Sequence, residues 1–318
     1  MQRVCLLGGS GFVGRHLVAE LARREVATRV ITRRRNRVRH LLVVPTCEVV
    51  EGNVHAPGGL EAALGDCDAA VNLVGILNEE SGSGETFQAA HAELPGRLAE
   101  ACANAGVSRI VHMSALGAAA DAPSAYLRTK WHGEEAVHTA SENGIGVTSM
   151  RPSVIFGPED SFFNRFAELL AVSPIVFPLA CPDTRFAPVY VGDVVRAFAT
   201  ALADDSTIGR RFNLRGPREY TLSKLVEYTG DVCGHRRWVV KMNDALSRIQ
   251  ARVLERVPGK PFTMDNYLSA QVDNTCEPGD LESLGIEPTG LEGIVPQYLG
   301  ARSRSRVFSR LRTTAGRT

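Results

Sequence analysis

The sequence predicts an α/β chain: a doubly wound parallel sheet with a small C-terminal α/β lobe. Three observations predict it. Strand-like and helix-like patterns alternate through the first 150 residues, a glycine-rich turn follows directly on the first strand, and the alternation loosens after Arg151-Pro152, where proline and glycine become frequent. Repeated β-α units imply a parallel sheet, because the crossover helices bury their apolar stripes on its faces.

The elements follow in order. Val4–Leu7 is a short apolar run ending in glycines, and Phe12–Arg24 carries Val13, Leu17, Val18 and Leu21 at helical spacing. Thr28–Thr32, Val49–Val50, Ala69–Val74, Arg109–Met113 and Val147–Met150 read as strands. Gly59–Leu64, Phe87–Ala105 (stopped by Gly106) and Ser124–Ser141 (stopped near Gly144) read as helices. Beyond residue 151 the helical patterns are Phe163–Val172, Val191–Ala203, Leu222–Cys233 and Asp244–Val257. The expected division is a nucleotide-binding domain over 1–150, a smaller lobe over 151–300 interwoven with it, and a flexible arginine-rich tail over 301–318.

Composition narrows the class. The 318 residues are 44 % hydrophobic and 22 % charged, with 36 basic against 35 acidic side chains. A net charge of +1 excludes a globally basic nucleic-acid binder, and the apolar fraction excludes a disordered chain. Seven scattered cysteines with no CxxC pattern signal neither a disulfide framework nor a zinc site. No histidine lies in an HxH or HExxH pattern, so no metal is expected. The N-terminus lacks a signal-peptide core and no 18-residue apolar run exists, which together suggest a cytoplasmic protein.

The turn Gly8-Gly9-Ser10-Gly11-Phe12-Val13-Gly14 holds glycine at three-residue spacing between a strand and an amphipathic helix. That context suits a Rossmann-type pyrophosphate site: glycine lets the backbone approach the phosphates, and the helix N-terminus offers free N–H groups. The second strand ends at Thr32 and runs into Arg33 and Arg34, with no acid between Glu25 and Glu48. A carboxylate there would accept from the ribose hydroxyls of NAD, whereas guanidinium groups suit a 2′-phosphate, so NADP(H) is favoured over NAD(H).

Tyr126 and Lys130 stand at i and i+4 on one face of the Ser124–Ser141 helix. An ammonium one turn from a phenol favours the phenolate and makes the tyrosine a usable acid or base. Ser114 ends the preceding strand, where a hydroxyl can hydrogen-bond a substrate oxygen. Glu134 extends the stripe by one turn and reads as a helix-face partner of Lys130 or Arg128.

In this order the motifs resemble the extended and atypical short-chain dehydrogenase/reductase superfamily over residues 3–300. The resemblance implies that Gly8, Gly11 and Gly14 form the dinucleotide loop and that Ser114, Tyr126 and Lys130 form the catalytic triad. In it, tyrosine is the acid/base, lysine binds the nicotinamide ribose, and serine orients the substrate. Asn53-Val54 stands where the family places an acid and an apolar residue near adenine, Asn72-Leu73-Val74-Gly75 resembles the fourth-strand motif lining the cofactor, and Pro152 to Val154 the segment entering the substrate lobe. Pro188–Val194 and Phe212–Pro217 complete the extended pattern. His112–Ala118, Ser124–Lys130 and the Leu284–Leu299 ending resemble the branch of the nucleotide-binding accessory subunit of respiratory complex I and its bacterial relatives.

That branch implies an NAD(P)H-binding protein tied to quinone-dependent respiration or ubiquinone biosynthesis, structural and with tightly held NADPH in the respiratory complex itself; hydride transfer to a quinone-pathway intermediate or other apolar carbonyl would join that tie to the Ser114, Tyr126 and Lys130 triad. The alternative is an active NADP-dependent epimerase, dehydratase or reductase on a nucleotide sugar or other small carbonyl. Only eleven residues separate Ser114 from Tyr126, and His91 stands where extended members carry asparagine, which sets the chain apart from the sugar epimerases. Two further stretches bear on partners. The apolar run from Phe162 to Pro182 reads as a loop that packs in the smaller lobe or walls a site for an apolar substrate. The Asp244–Val257 stretch reads as a basic amphipathic helix that packs on its own lobe or meets a membrane or respiratory complex, at the inner face of a membrane together with the arginine tail.

Overall fold

The computed structural model describes residues 3–56, 58–79 and 86–300. The arginine-rich stretch 301–318 lies outside the described residues. The chain divides into two compact units, and the C-terminal half returns twice to the first. Unit one comprises the chain up to Pro152 together with Gly192–Leu214 and Pro278–Glu287, and unit two comprises Ser153–Val191, Arg215–Glu277 and the chain from Pro288.

In chain order the first unit runs β1 (Arg3–Leu7), α1 (Phe12–Arg23), β2 (Ala27–Thr32), β3 (Cys47–Glu51), α2 (Gly59–Leu64), β4 (Ala69–Asn72), α3 (Leu94–Ala105), β5 (Arg109–Met113), α4 (Ala125–His138) and β6 (Gly146–Pro152). The chain continues as β7 (Ile155–Phe156), α5 (Phe163–Val172), β8 (Val176–Leu179), β9 (Arg185–Phe186), β10 (Val189–Tyr190), α6 (Val191–Ala203) and β11 (Arg211–Leu214). It closes with β12 (Tyr220–Thr221), α7 (Leu222–Cys233), β13 (Trp238–Lys241), α8 (Asp244–Leu254), α9 (Met264–Ser269) and α10 (Leu291–Leu299).

Seven strands form one sheet in the order β11-β6-β5-β4-β1-β2-β3, all parallel. The strand order reverses beside β1, so the crevice between the carboxyl ends of β1 and β4 is the position where such sheets take ligands. Residues alternate between faces along each strand. Cys5 and Leu7 of β1 join one core cluster with Leu60, Leu64, Leu94, Leu98, Ile110 and Val137. Val4 and Leu6 point to the opposite face and are equally inaccessible, so both faces of the sheet are covered.

The second unit is built on two small core clusters. Phe156, Phe163 and Leu225 pack with Val295 and Leu299 of α10. Leu170, Phe177 and Leu179 pack with Leu222 and Val226 of α7. Residues 176–179, expected to be loop, are strand β8, paired in parallel with β13. The apolar residues of that run split: Phe177 and Leu179 enter the core, whereas Ile175 and Val176 are exposed. No helix among the described residues is long and apolar enough to cross a membrane.

Candidate functional site

The glycine turn is folded by close approach. Gly8 adopts φ +75°, and its carbonyl accepts the Gly11 N–H at 3.0 Å, closing the turn. A Cβ on Gly14 would lie 2.5 Å from both the Gly8 oxygen and the Gly9 Cα, so only glycine lets the first turn of α1 sit on the strand end. No side chain caps α1 and no acid lies in its first turn. Its N-terminal N–H groups and positive dipole therefore face the crevice without internal competition for an anion.

Across the crevice, β4 ends in Asn72, which is wholly buried. Its Oδ1 accepts the Val74 N–H at 3.1 Å and its Nδ2 donates to His112 Nδ1 at 3.3 Å. That network assigns the His112 proton to Nε2, a buried atom with no partner among the described residues. Leu73 continues the ladder to the Leu7 carbonyl at 2.9 Å. Gly75 then passes against Lys130, whose Nζ lies 3.2 Å from where a Gly75 Cβ would be.

Ser114 directly follows β5, and Lys130 reaches the end of the same strand. The Ser114 N–H is bonded to the Met150 carbonyl at 2.8 Å, and its Oγ is buried without a partner among the described residues. The neighbouring Met113 carbonyl accepts from Lys130 Nζ at 3.1 Å. Burial pulls the Lys130 ammonium down to about 8, with Glu134 partly opposing the effect. Helix α4 starts at Ser124, whose hydroxyl accepts the Leu127 N–H at 3.2 Å, a side-chain N-cap that fixes where Tyr126 and Lys130 fall.

His91, which stands where extended members carry asparagine, is drawn into the site by its backbone. It lies in a π-helical turn, Gln88–Glu93, preceding α3. Such turns recur at functional sites, and their wide pitch is not legible from spacing. His91 Nε2 accepts the Ile76 N–H at 3.0 Å, and Nδ1 bonds Thr129 Oγ1 at 3.2 Å. The ring meets Tyr126 edge to face, with centroids 5.3 Å apart, and stacks on Phe87 at 5.5 Å. Burial and the Lys130 charge hold the imidazole neutral, down to about 2. His91 thus ties the segment after β4 to the helix carrying Tyr126. A Cβ on Gly133 would lie 1.7 Å from the His91 carbonyl, so α4 packs this closely only through glycine.

The expected pairing of Glu134 with Lys130 or Arg128 is replaced. Glu134 is fully buried and binds Arg151 at 2.8 Å and Arg211 at 2.7 Å, joining α4 to β6 and β11. The reason is reach: two guanidinium groups from the sheet edge meet the carboxylate, while Lys130 Nζ turns to Met113 and Arg128 bonds the Ala122 and Pro123 carbonyls.

The structure places the remaining expected residues as follows. Ser10, Phe12 and Val13 lie in the turn and first helical turn after β1. Thr32 ends β2, and Arg33 and Arg34 are exposed beyond it. Glu51 of β3 stands opposite Thr32 and accepts the Arg35 N–H at 3.3 Å, an acid next to this strand end that the sequence order hides. Asn53 Oδ1 accepts the His55 N–H at 3.0 Å, and the Val54 carbonyl accepts from Arg97 at 3.5 Å. Pro152 ends β6, its carbonyl bonded to the Leu116 N–H at 3.0 Å. Val154 belongs to the second unit, where its N–H donates to Asn274 Oδ1 at 2.9 Å. Among the described residues no group of three or more His, Cys, Asp or Glu side chains could hold a metal.

These features fit a dinucleotide. A cradle that a Cβ would fill stands before an uncapped helix N-terminus, and a buried unpartnered hydroxyl stands beside an anchored ammonium. The arrangement can bind an anion at one end and hydrogen-bond and protonate an oxygen at the other.

Residues 4–214 match the model of the NAD dependent epimerase/dehydratase family. The chain is 30 % identical over 301 residues to the Rattus norvegicus mitochondrial "NADH dehydrogenase (ubiquinone) 1 alpha subcomplex subunit 9", covering 90 % of this chain and 77 % of that protein. It is also 30 % identical over 243 residues to the Caulobacter vibrioides "Ceramide reductase", covering 76 % and 74 %. Among solved structures, the NADPH-dependent quinone oxidoreductase QOR2 of Escherichia coli superposes with a TM-score of 0.70 at 18 % identity, covering 96 % of this chain and 99 % of the other, a likeness of fold.

Proposed function

The chain belongs to the NAD dependent epimerase/dehydratase family, and on that premise we propose that it is a nicotinamide-dinucleotide-binding reductase acting on the carbonyl of an apolar, quinone-related substrate. The observation that carries the reading is the Ser114 hydroxyl. It is buried, has no described partner, and stands one residue from the carbonyl that anchors Lys130. A buried orphan hydroxyl carries a desolvation penalty that a substrate oxygen would relieve.

By their match to the family's motifs, Gly8, Gly9, Ser10, Gly11, Phe12, Val13 and Gly14 would hold the pyrophosphate, and Asn53 and Val54 the adenine. Asn72, Leu73, Val74 and Gly75, with Pro152 and Val154, would line the nicotinamide end. When bound, the reduced dinucleotide supplies a hydride. Ser114 donates a hydrogen bond to the substrate carbonyl oxygen. Tyr126 gives that oxygen its proton, and the Lys130 ammonium one helical turn away stabilises the phenolate left behind and holds the ribose. NADP(H) is the preferred form, because Thr32 leads into Arg33 and Arg34 while Glu51 is engaged by the Arg35 N–H. Replacing Arg33 and Arg34 together by alanine should weaken NADPH binding by about tenfold or more and leave NADH nearly unchanged, a loss of one or two charge-assisted hydrogen bonds. Equal losses for both would overturn the preference.

The relatives that are respiratory-complex subunits support a second reading: a dinucleotide held tightly in a quinone-linked assembly, without turnover. Stopped-flow absorbance of bound NADPH mixed with short-chain quinones and apolar ketones separates the two. Oxidation that drops at least about a hundredfold in Tyr126→Phe supports the reductase. Equal and negligible oxidation in wild type and variant supports the second reading.

A further inference from the structure

Helix α8 in the second unit turns its apolar stripe outward. Its buried positions are the small residues Ser247 and Ala251. Leu246, Ile249 and Val253 form a stripe at helical spacing and are 49 %, 56 % and 56 % exposed, and Val257 continues it just past the helix end. This overturns the reading in which the stripe packs on its own lobe: the space beneath the helix is taken by its small face, held by Gln250 Nε2 donating to the Pro178 carbonyl at 3.2 Å.

That hydrogen bond sets α8 beside the β8–β13 pair, whose outer face is apolar as well. Val176 and Pro178 stand in register with Trp238 and Val240, and all four side chains are exposed while Phe177 and Leu179 point into the core. Trp238 is 76 % exposed. The charge around this surface is one-sided. Between residues 236 and 257 the chain carries six basic and two acidic side chains; Arg236, Lys241 and Arg248 pair with Asp231, Asp183 and Asp244, which leaves Arg237, Arg252 and Arg256 against Glu255. Arg248, Arg252 and Arg256 recur every four residues along one edge of the α8 stripe. Arg252 and Arg256 have no carboxylate partner among the described residues.

We propose that this face docks on the surface of an anionic lipid bilayer, with α8 lying in the interface plane and Trp238 at the level of the headgroups. An outward apolar stripe edged by arginines matches the chemistry of a bilayer interface, where acyl chains cover the stripe and lipid phosphates pair with the guanidinium groups. An exposed tryptophan suits the same layer, since its ring is apolar and its N–H finds acceptors there. A second copy packed antiparallel fits less well, because that two-fold contact would set the arginine rows along the same edge. The inference stands independently of the proposed chemistry.

The test uses the full-length protein with vesicles of phosphatidylcholine, with and without phosphatidylglycerol, in sedimentation and tryptophan fluorescence. The fluorescence is read in a Trp131→Phe background so that Trp238 alone reports. Retention on phosphatidylglycerol vesicles with a blue-shifted Trp238 is expected, and Ile249→Glu should weaken it by at least about tenfold. Ile249 is exposed, so the variant should fold, and thermal unfolding checks this. The arginine-rich stretch 301–318 would hold the chain on anionic vesicles by charge alone, so retention that survives Ile249→Glu with an unshifted Trp238 overturns the proposal. Absence of retention overturns it too. Self-association that Ile249→Glu abolishes, without vesicle binding, overturns it in favour of a contact between copies.

Discussion

Lys130 Nζ donates to the Met113 carbonyl at 3.1 Å, which pins the side chain of α4 to the strand end bearing Ser114. The ammonium is almost wholly buried and is drawn from 10.5 to about 8. The charged form is therefore held in place at a cost to stability, as expected of a group kept for chemistry or binding.

The first prediction is that Lys130→Met stabilises the ligand-free protein near pH 7 while removing dinucleotide-dependent activity. Between about pH 8 and 10.5 the unfolded chain binds more protons at this position than the folded one, so wild-type stability rises with pH across that window. Below pH 8 the burial cost is fully present, at most about 3 kcal/mol from the shift. Urea unfolding of wild type and variant at pH 7 and pH 10 measures it. The gap should narrow toward pH 10, and a gap that widens would contradict the assignment.

The second prediction concerns His91, whose two ring nitrogens are both engaged and whose charged form is disfavoured down to about pH 2. As pH falls below 6.5 the unfolded histidine takes a proton that the folded one refuses, so folding loses stability through this residue. Relative to His91→Gln, wild type should lose about 3 kcal/mol between pH 7 and pH 4. Parallel pH–stability curves for the two proteins would show that His91 is not held neutral.

Much of this site was legible in the sequence, for identifiable reasons. The Gly8–Gly14 turn, the Tyr126–Lys130 pair and the strand end at Ser114 depend on local spacing, which the chain displays directly. β11 carries little local signal, because Arg211–Leu214 is four residues long and joins the sheet only by pairing with β6, a contact between distant segments. The roles of His91 and Glu134 were hidden for the same reason. The π-turn that aims His91 has no spacing signature, and the arginines that hold Glu134 come from β6 and β11. The direction of the α8 stripe was also beyond reach, since periodicity shows that a helix has two faces and not which one its neighbours cover.

The third prediction tests the cradle. In Gly14→Ala the new methyl would meet the Gly8 oxygen and Gly9 Cα at 2.5 Å, both backbone atoms that cannot rotate away. The turn must open, costing about 1–3 kcal/mol by analogy with overpacked cores. Calorimetric titration should show dinucleotide affinity reduced by at least about tenfold, a larger effect than the drop in melting temperature alone explains. Unchanged affinity in a destabilised variant would mean that the turn serves packing only.

The last prediction joins Glu134 to the chemistry it does not touch. Its buried carboxylate holds Arg151 and Arg211, and it is the one group that raises Lys130 against the pull of burial. Glu134→Gln keeps the shape and removes the charge. Arg151 then loses its counter-ion while Arg211 keeps Glu135 at 2.7 Å, so stability should fall by about 1–2 kcal/mol, below the usual cost for a fully buried pair because both arginines reach solvent. Lys130 should also give up its proton below pH 8. If dinucleotide binding needs the ammonium, affinity against pH falls on an alkaline limb near pH 8 in wild type, and that limb moves to lower pH in Glu134→Gln. A purely structural Glu134 would lower the melting temperature and leave the limb where it was, so titrations at a few pH values below the melting point decide whether the carboxylate acts through Lys130.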